Sequence, residues 1–444
     1  MVEQSASAVE RKSGASGMMP VVRTLLPDLT PLRTNPAYRR LWVGFALAGV
    51  GAQMATVAIG LQVYELTGSS AAVGLVGLFA LVPLVALGLY GGALADQFDR
   101  RVVALVAQLV AWVSSLLLAL QAFLGNADVW VLYALVALLS GAFAVMSPAR
   151  SSIYPRILPR EQLPAANALS VLAMNTSLTA GPLLAGVLIG RYGFEAAYTF
   201  DAVITTAALW GLLTLGPIRP EPGEGQRRTG VRSVVEGFGF LRRSPNVRMT
   251  FVSDIYAMVL AQPRVLLPAA GTVILGGGAT TVGNLYAAAA VGGVVAMVLS
   301  GRLGAVRRQG LAILVSIVGW GVGIAGLGVA LLLAGGPLTQ QQAFWGAMAG
   351  MFVAGASDSV SAVYRTTILQ TAAPDHMRGR LQGVFIVVVA GGPRVGEILG
   401  GGVAEVVGEG WTAVLGGLAC IAAIGVLAVR ARGFVRYDAR HPAP

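Results

Sequence analysis

Five charged side chains stand well away from the ends of long apolar runs of this chain: Asp254, Arg264, Asp358, Arg394 and Glu397. If such runs cross a bilayer, a charge at the centre costs about 2.5–3.5 kcal/mol on insertion scales, and charges kept there usually serve a function. Burial raises the proton affinity of a carboxylate and a neighbouring arginine lowers it, so one acid can bind a proton in one state and release it in another. These residue types therefore have the chemistry that proton-coupled exchange requires.

Spacing decides which of these charges can meet. Arg394 and Glu397 are three residues apart and share one face of a helix. Arg264 lies ten residues beyond Asp254, about 15 Å along a helix. Arg264, Arg394 and Glu397 can therefore form one cluster. A permanent structural pair of Arg394 and Glu397 is an equal alternative. For Asp254 and Asp358 the alternative is a polar lining of a wet cavity without proton coupling.

The first half of the chain offers different groups. Its acids, Asp201 and Glu65, fall near the outer ends of their apolar runs in the predicted topology, so we expect proton coupling in the second half. Four neutral polar residues can line a substrate cavity or bond to a neighbouring helix: Gln53, Thr56, Asn175 and Thr176.

A helix with close contacts is indicated by Gly181, Pro182 and Gly186 in the fifth apolar run. Small residues let helix backbones approach, and proline removes a backbone donor and bends the helix. A tightly packed, kinked helix and a role in the direction of transport are equally open interpretations.

The elements that must position these residues are long helices. The chain is 56% hydrophobic and 11% charged, its mean hydropathy is +0.74, and soluble domains carry about 25% charged residues. A helix needs about 20 apolar residues to cross a hydrocarbon core. Twelve runs of about that size are predicted, with approximate ends, at 41–63, 73–93, 102–124, 129–146, 165–189, 198–215, 249–275, 282–299, 311–333, 344–364, 381–407 and 412–429. The sequence therefore predicts an all-α integral membrane protein.

A polar break divides these runs into six and six. The predicted units are a tail at 1–40, a six-helix bundle at 41–217, a linker at 218–247, a second bundle at 248–430 and a tail at 431–444. Arg150 and Pro159 recur as Arg365 and Pro374 at one common offset, which indicates two pseudo-symmetric bundles. Repeats of this type place substrate sites between the halves, near the bilayer midplane.

Basic residues predict the orientation, because short loops rich in Lys and Arg stay in the cytoplasm. Nearly all of the 31 basic residues, Arg365 among them, fall in alternate loops and in the two tails. We expect a multi-pass protein of the inner or plasma membrane with both termini cytoplasmic. The net charge of +11 is therefore a topology signal and gives no reason to expect a nucleic-acid partner.

A short turn at the end of the second run contains Gly92, Asp96, Asp99, Arg100 and Arg101. It resembles the loop signature of the major facilitator superfamily, Gly-x-Leu-x-Asp-x-x-Gly-Arg-Arg. Here an aspartate, Asp99, replaces the second glycine, so the turn cannot use the conformational freedom of glycine at that point. Aspartate tolerates unusual φ angles better than most residues do.

The six-plus-six count, the long linker and this loop together resemble that superfamily. The chain is most similar to its enterobactin-exporter-like branch of secretion and efflux carriers, at 62–70, 148–150, 163–169, 378–380 and 392–397. The resemblance implies a twelve-helix fold, and a cytosolic latch between Asp96 and the region of Arg378 and Arg380, with Arg150 as another partner. The alternative is a loop that serves only membrane insertion. The Gly181-Pro182 segment resembles the superfamily's antiporter signature, although Ala185 replaces a glycine.

Together these features predict a secondary transporter: a monomeric, proton-coupled exporter of a siderophore-like or drug-like small molecule that works by alternating access. The alternatives are an uptake carrier or uniporter and, less favoured, a membrane-embedded enzyme or a sensor. No phosphate-binding Gly-Lys loop is present, so ATP drive is not expected. The two histidines, His376 and His441, lie in predicted cytosolic segments and suggest no metal site. No cofactor is expected, and the predicted partners are the substrate, protons and the lipid bilayer.

Overall fold

Long helices make up the regular structure of the described residues. The computed structural model describes residues 28–219, 239–298, 306–372 and 375–441. In the first half, α1 is Pro36–Thr67, α2 is Ser70–Gln97, α3 is Arg100–Phe123 and α4 is Val129–Ile157. A continuous helix, Leu163–Leu213, is interrupted at Gly193, where φ is 80° and ψ is 179°. Its two arms are α5 (163–192) and α6 (194–213).

The second half follows the same plan. Its helices are α7, Pro245–Leu260; α8, Gly278–Val298; α9, Gln309–Leu333; α10, Gln340–Ala372; α11, Asp375–Val407; and α12, Glu409–Arg430. Within the described ranges, nine helices are long and apolar enough to cross a membrane, and the interrupted helix counts as one of them. The all-helical membrane architecture is therefore confirmed, whereas the count of twelve crossings and the unit boundaries stay predictions.

Local sequence explains where the early helices begin. Asn35, Ser69, Asp99 and Asp128 each precede a helix and accept a hydrogen bond from a backbone N–H of its first turn. Such residues satisfy the N–H groups that a helix start leaves unpaired. Gly68, at the end of α1, has φ of 64°, a left-handed conformation that glycine adopts without strain. Short caps between long helices produce the tight antiparallel hairpin of α1 and α2.

Asp99 has a different role from the one expected for it. Its φ is −56°, an ordinary value, so no unusual backbone is needed in place of the missing glycine. Its carboxylate accepts hydrogen bonds from the backbone N–H of Arg101 (2.9 Å) and from that of Ile218 (3.1 and 3.2 Å). Asp99 therefore caps α3 and ties the loop to the segment that follows α6.

We expect Asp99→Ala to lower the stability of the protein by about 1 kcal/mol, the usual cost of losing a helix N-cap. Asp99→Ser keeps a capping oxygen and is the matched control. Thermal unfolding of the detergent-solubilised protein, followed by tryptophan fluorescence, should give a lower Tm for the alanine variant than for the serine variant. Equal Tm values would show that the cap does not stabilise the fold.

The two halves, α1–α6 and α7–α12, pack against each other through two helix pairs, α2 with α11 and α5 with α8. Glycines face each other in both pairs. A Cβ atom added to Gly74 would lie 3.3 Å from Cα of Gly401, and one added to Gly186 would lie 3.1 Å from Cα of Gly283. The backbones are thus in direct contact, as small residues allow. We call these two crossings the outer seam, because they lie toward the end where α1 ends and α2 begins.

Hydrogen bonds extend the outer seam to the ends of the helices. The Ser69 hydroxyl donates to a Glu405 carboxylate oxygen (2.7 Å), and the Ser70 hydroxyl donates to Glu409 (2.8 Å). Both serines belong to the first half and both glutamates to the second. The halves are therefore closed against each other at this end, which is external in the predicted topology.

Candidate functional site

A small cavity lies between the halves at the level of the outer seam. It is lined by α1 and α2 of the first half and by α8, α11 and the segment after α7 of the second. Its polar lining consists of Thr56, Arg264, Tyr286, Arg394 and Glu397. The cavity volume is about 30 Å³, and a cavity needs about 10–15 Å³ of such space to hold one water molecule. In this conformation the site is too small for an organic substrate.

A break in the seventh apolar run positions Arg264. The sequence predicts one span at 249–275, but α7 ends at Leu260 and the chain continues as short 3-10, α and π turns, Arg264–Leu266, Leu267–Ala269 and Ala270–Ile274. Pro263 and Pro268 lack the backbone N–H that an uninterrupted helix uses. Trp320 donates its indole N–H to the carbonyl of Ala261 (3.2 Å) and so satisfies an acceptor at the break.

Arg394 and Glu397 form the ion pair that their spacing allows. Arg394 Nη1 lies 3.0 Å from Glu397 Oε2, and Glu397 is 4% exposed. The pair packs across the boundary between the halves, because a Cβ atom on Gly77 of α2 would lie 2.9 Å from both the Arg394 carbonyl oxygen and Glu397 Oε2. Any movement of α2 away from α11 therefore changes the surroundings of this carboxylate.

A second charge cluster joins α7 to α10 within the second half. Arg365 forms an ion pair with Asp254, and its other terminal nitrogen lies 3.2 Å from Asp358 Oδ1. Arg365 does not lie in a loop as predicted, because α10 continues as a helix to Ala372, beyond its apolar run. One arginine thus compensates the two acids that were predicted as separate cavity charges.

The pseudo-symmetric counterpart of Arg365 has a different partner. The guanidinium carbon of Arg150 lies 5.3 Å from the ring centroid of Phe45 on α1, within the range of a cation–π interaction. Equivalent arginines therefore bind an aromatic ring in one half and two carboxylates in the other. The two halves therefore differ in the charged contacts that these equivalent arginines make.

The arginines of the short loop bind within their own half. Arg101 donates from Nε to the Leu212 carbonyl (3.2 Å) and from Nη2 to the Leu213 carbonyl (2.9 Å). A cation at the end of α6 interacts favourably with the helix dipole. Arg100 is 6% exposed, and its backbone N–H donates to the Ile218 carbonyl (3.0 Å). The side chains of Asp96, Arg378 and Arg380, and the surroundings of Gly92, lie outside the described residues, so the predicted latch is not tested.

The neutral candidates are not all at one place. Thr56 lines the cavity, and Gln53 packs on α5, where a Cβ atom on Gly181 would lie 2.6 Å from its own. Asn175 and Thr176 are exposed on α5 and do not belong to the cavity lining. Pro182 lies inside α5, and Gly186 is part of the outer seam.

The prediction that Asp201 lies near the outer end of its apolar run, away from the interior, was wrong. This carboxylate is 2% exposed, accepts a hydrogen bond from the Thr205 hydroxyl (3.2 Å) and lies directly against Gly51, at the middle of α1. The first half therefore has an acid in its interior. The position of Asp201 inside an apolar run was a usable sequence signal. In the structure α6 begins at 194, earlier than predicted, so Asp201 lies two turns inside the helix. No comparable sequence signal indicated that Tyr286 lines the cavity or that Arg365 binds two acids.

Comparisons with known proteins agree on one type of molecule. A family model described as transmembrane secretion effector matches residues 27–440. The enterobactin exporters of Citrobacter koseri and Shigella boydii are each 30% identical over 382 residues, which cover 85% of this chain and 87% of either relative.

Solved structures share the fold at low sequence identity. A POT family transporter in complex with 5-aminolevulinic acid superposes with a TM-score of 0.70 at 13% identity, over 90% of this chain and 97% of that one. A bacterial homologue of the iron transporter ferroportin in an inward-facing state gives 0.65 at 14% identity, over 90% and 98%.

Proposed function

This chain belongs to the transmembrane secretion effectors of the major facilitator superfamily, and on that premise we propose that it is a proton-coupled exporter of a siderophore-like small molecule. It is a multi-pass membrane transporter and not an enzyme. What we propose beyond this is the driving force of transport, the direction of transport and the class of substrate. The enterobactin exporters support outward transport of a siderophore-like compound, with a drug-like compound as the wider class.

The observation that carries the proposal is the position of the Arg394–Glu397 pair. It lies between the halves, beside the cavity and against Gly77 of α2. Alternating access requires the outer seam to open and close. A carboxylate packed into that seam has different neighbours in the two states, and this is the condition for coupling proton binding to the conformational change.

The direction of coupling follows from the charges. With the seam closed, Arg394 compensates an ionised Glu397 at 3.0 Å. Opening the seam to the outside exposes Glu397 to a compartment from which it takes up a proton. The protonated carrier then closes outside, opens inside and releases the proton as the ion pair forms again. Protons therefore enter as the substrate leaves.

Inverted membrane vesicles with an acidic interior, so that protons are driven out of the lumen, test this function. Vesicles that contain the protein should accumulate a siderophore or a drug chosen by comparing deletion and overexpression cells for accumulation and resistance. A protonophore should abolish the accumulation. Accumulation that ignores the protonophore would contradict proton coupling, and transport only in the opposite direction would identify an uptake carrier.

Asp96→Asn is expected to reduce transport several-fold without loss of protein from the membrane. The amide keeps the shape of the side chain but removes the charge that we propose to latch the halves on the cytosolic side. Asp99→Asn, which changes a charge three residues away and keeps the cap, is the matched control. Turnover rates of both variants should be compared at equal protein amounts. An unchanged rate for Asp96→Asn would leave the loop with a role in insertion alone.

A further inference from the structure

Arg264 differs from the other two arginines in the interior of the second half. Arg365 and Arg394 are both ion-paired with carboxylates. Among the described residues, Arg264 makes neither a hydrogen bond nor an ion pair within 4.0 Å. Asp358 and Tyr286 lie within electrostatic range of Arg264. Asp358 shares Arg365 with Asp254, so its charge acts on Arg264 at a distance, without a direct ion pair. Arg264 is thus a cation without a direct counterion.

The position of Arg264, at a helix break and in the lining of the cavity, favours a role in ligand binding. An uncompensated charge in the interior of a membrane protein is costly, and such charges line substrate or ion pathways. Arg264 lies at the break after α7 and lines the cavity between the halves. Interrupted helices at this place form substrate sites in secondary transporters. A ligand that places a negative charge directly against Arg264 supplies the ion pair that Arg264 lacks.

Resting on the proposed exporter function, we propose that the substrate is an amphipathic organic anion whose carboxylate, or a similarly compact oxyanion, binds the guanidinium of Arg264. A guanidinium offers paired N–H donors that match the two oxygens of a carboxylate. The valines of the cavity wall, Val57, Val73 and Val282, and the ring of Tyr286 provide apolar surface for the rest of the molecule.

The cavity charge also argues against a cationic substrate. Among the described lining residues, Glu397 is the one carboxylate, and it is bound to Arg394. The acid that acts on Arg264 from outside the lining, Asp358, makes no direct ion pair with it. A bound anion would therefore pair directly with Arg264, whereas a bound cation would be repelled by it.

Equilibrium binding to the purified, full-length protein in lipid nanodiscs tests the inference. The probes are naphthoate and naphthamide, which have nearly the same shape and differ in charge, and naphthylmethylammonium as the cation. Quenching of tryptophan fluorescence reports binding. We expect the wild-type protein to bind naphthoate at least tenfold more tightly than the other two probes.

Substitution assigns the preference to Arg264. Arg264→Gln should remove it, and Arg264→Lys should retain part of it. Arg430→Gln, at an exposed position outside the cavity, should leave it unchanged, and Tm values report whether each variant is folded. Equal binding of naphthoate and naphthamide, a preference that survives in a folded Arg264→Gln variant, or binding of none of the probes at millimolar concentration would each overturn the inference.

The binding assay contains no proton gradient. It therefore tests the class of substrate independently of proton coupling. Anion preference without protonophore-sensitive accumulation would refute proton coupling and leave the substrate class intact. Protonophore-sensitive export with no anion preference would refute the substrate class alone.

Discussion

Replacing Gly401 by alanine should hold the outer seam open and reduce transport strongly. The added Cβ would lie 2.5 Å from the Ser70 carbonyl oxygen and 3.1 Å from Cα of Gly74. Both are backbone atoms, so no change of rotamer relieves the overlap and the two helices must separate. Overpacking of this type costs about 1–3 kcal/mol, which corresponds to a shift of about 5–150-fold in a conformational equilibrium.

Gly402 provides a matched control on the same helix. A Cβ atom at Gly402 would meet no atom within 4 Å, so Gly402→Ala should transport normally. Spin labels at the exposed outer positions Leu66 and Val406, introduced after replacement of the buried Cys420, report the distance between the halves. We expect a longer distance for Gly401→Ala and an unchanged one for Gly402→Ala. Equal distances and equal transport rates in the two variants would show that the seam does not close by backbone contact.

Replacing Arg365 by alanine should destabilise the second half severely. The variant leaves Asp254, which is 4% exposed, and Asp358 without their shared cation. Removing one partner of a buried ion pair costs about 3–5 kcal/mol, because a charge then stays buried and uncompensated. The expected result is a large fall in Tm and in the amount of folded protein.

Two further variants distinguish the loss of charge compensation from a general disturbance of packing. Arg365→Ala combined with Asp254→Asn removes a stranded charge and should recover much of the stability. Arg150→Ala, at the pseudo-symmetric position, removes a cation–π contact with Phe45 and no ion pair among the described residues. Such a contact is worth about 0.5–2 kcal/mol. A fall in Tm as large for Arg150→Ala as for Arg365→Ala, or no recovery in the double variant, would refute the charge explanation.

Features that depend on local sequence were predictable. The apolar runs predicted the helices, since each helix must cover a hydrocarbon core. The Arg394–Glu397 pair was predictable because residues three apart share a helix face. The contribution of Arg264 to the same cavity was an open option, and only the packing of α7, α8 and α11 around one space brings it to the pair.

Features that depend on tertiary packing were not predictable. Arg365 follows directly after an apolar run, so a hydropathy pattern ends the helix there. In the structure α10 continues to Ala372, and Asp254 on α7, which is remote in sequence, compensates the charge. Asp201 fits into the interior because Gly51 leaves room for its carboxylate. The chain has 59 glycines, and nothing in their spacing shows which of them face a glycine on another helix.

Proton movement driven by substrate tests the central claim most directly. Proteoliposomes that contain the purified protein and an internal pH indicator receive a substrate gradient with no initial pH difference. The account predicts proton flow opposite to the substrate flow, and substrate flow without proton flow in Glu397→Gln. Substrate flow in the wild-type protein with no movement of protons would contradict it.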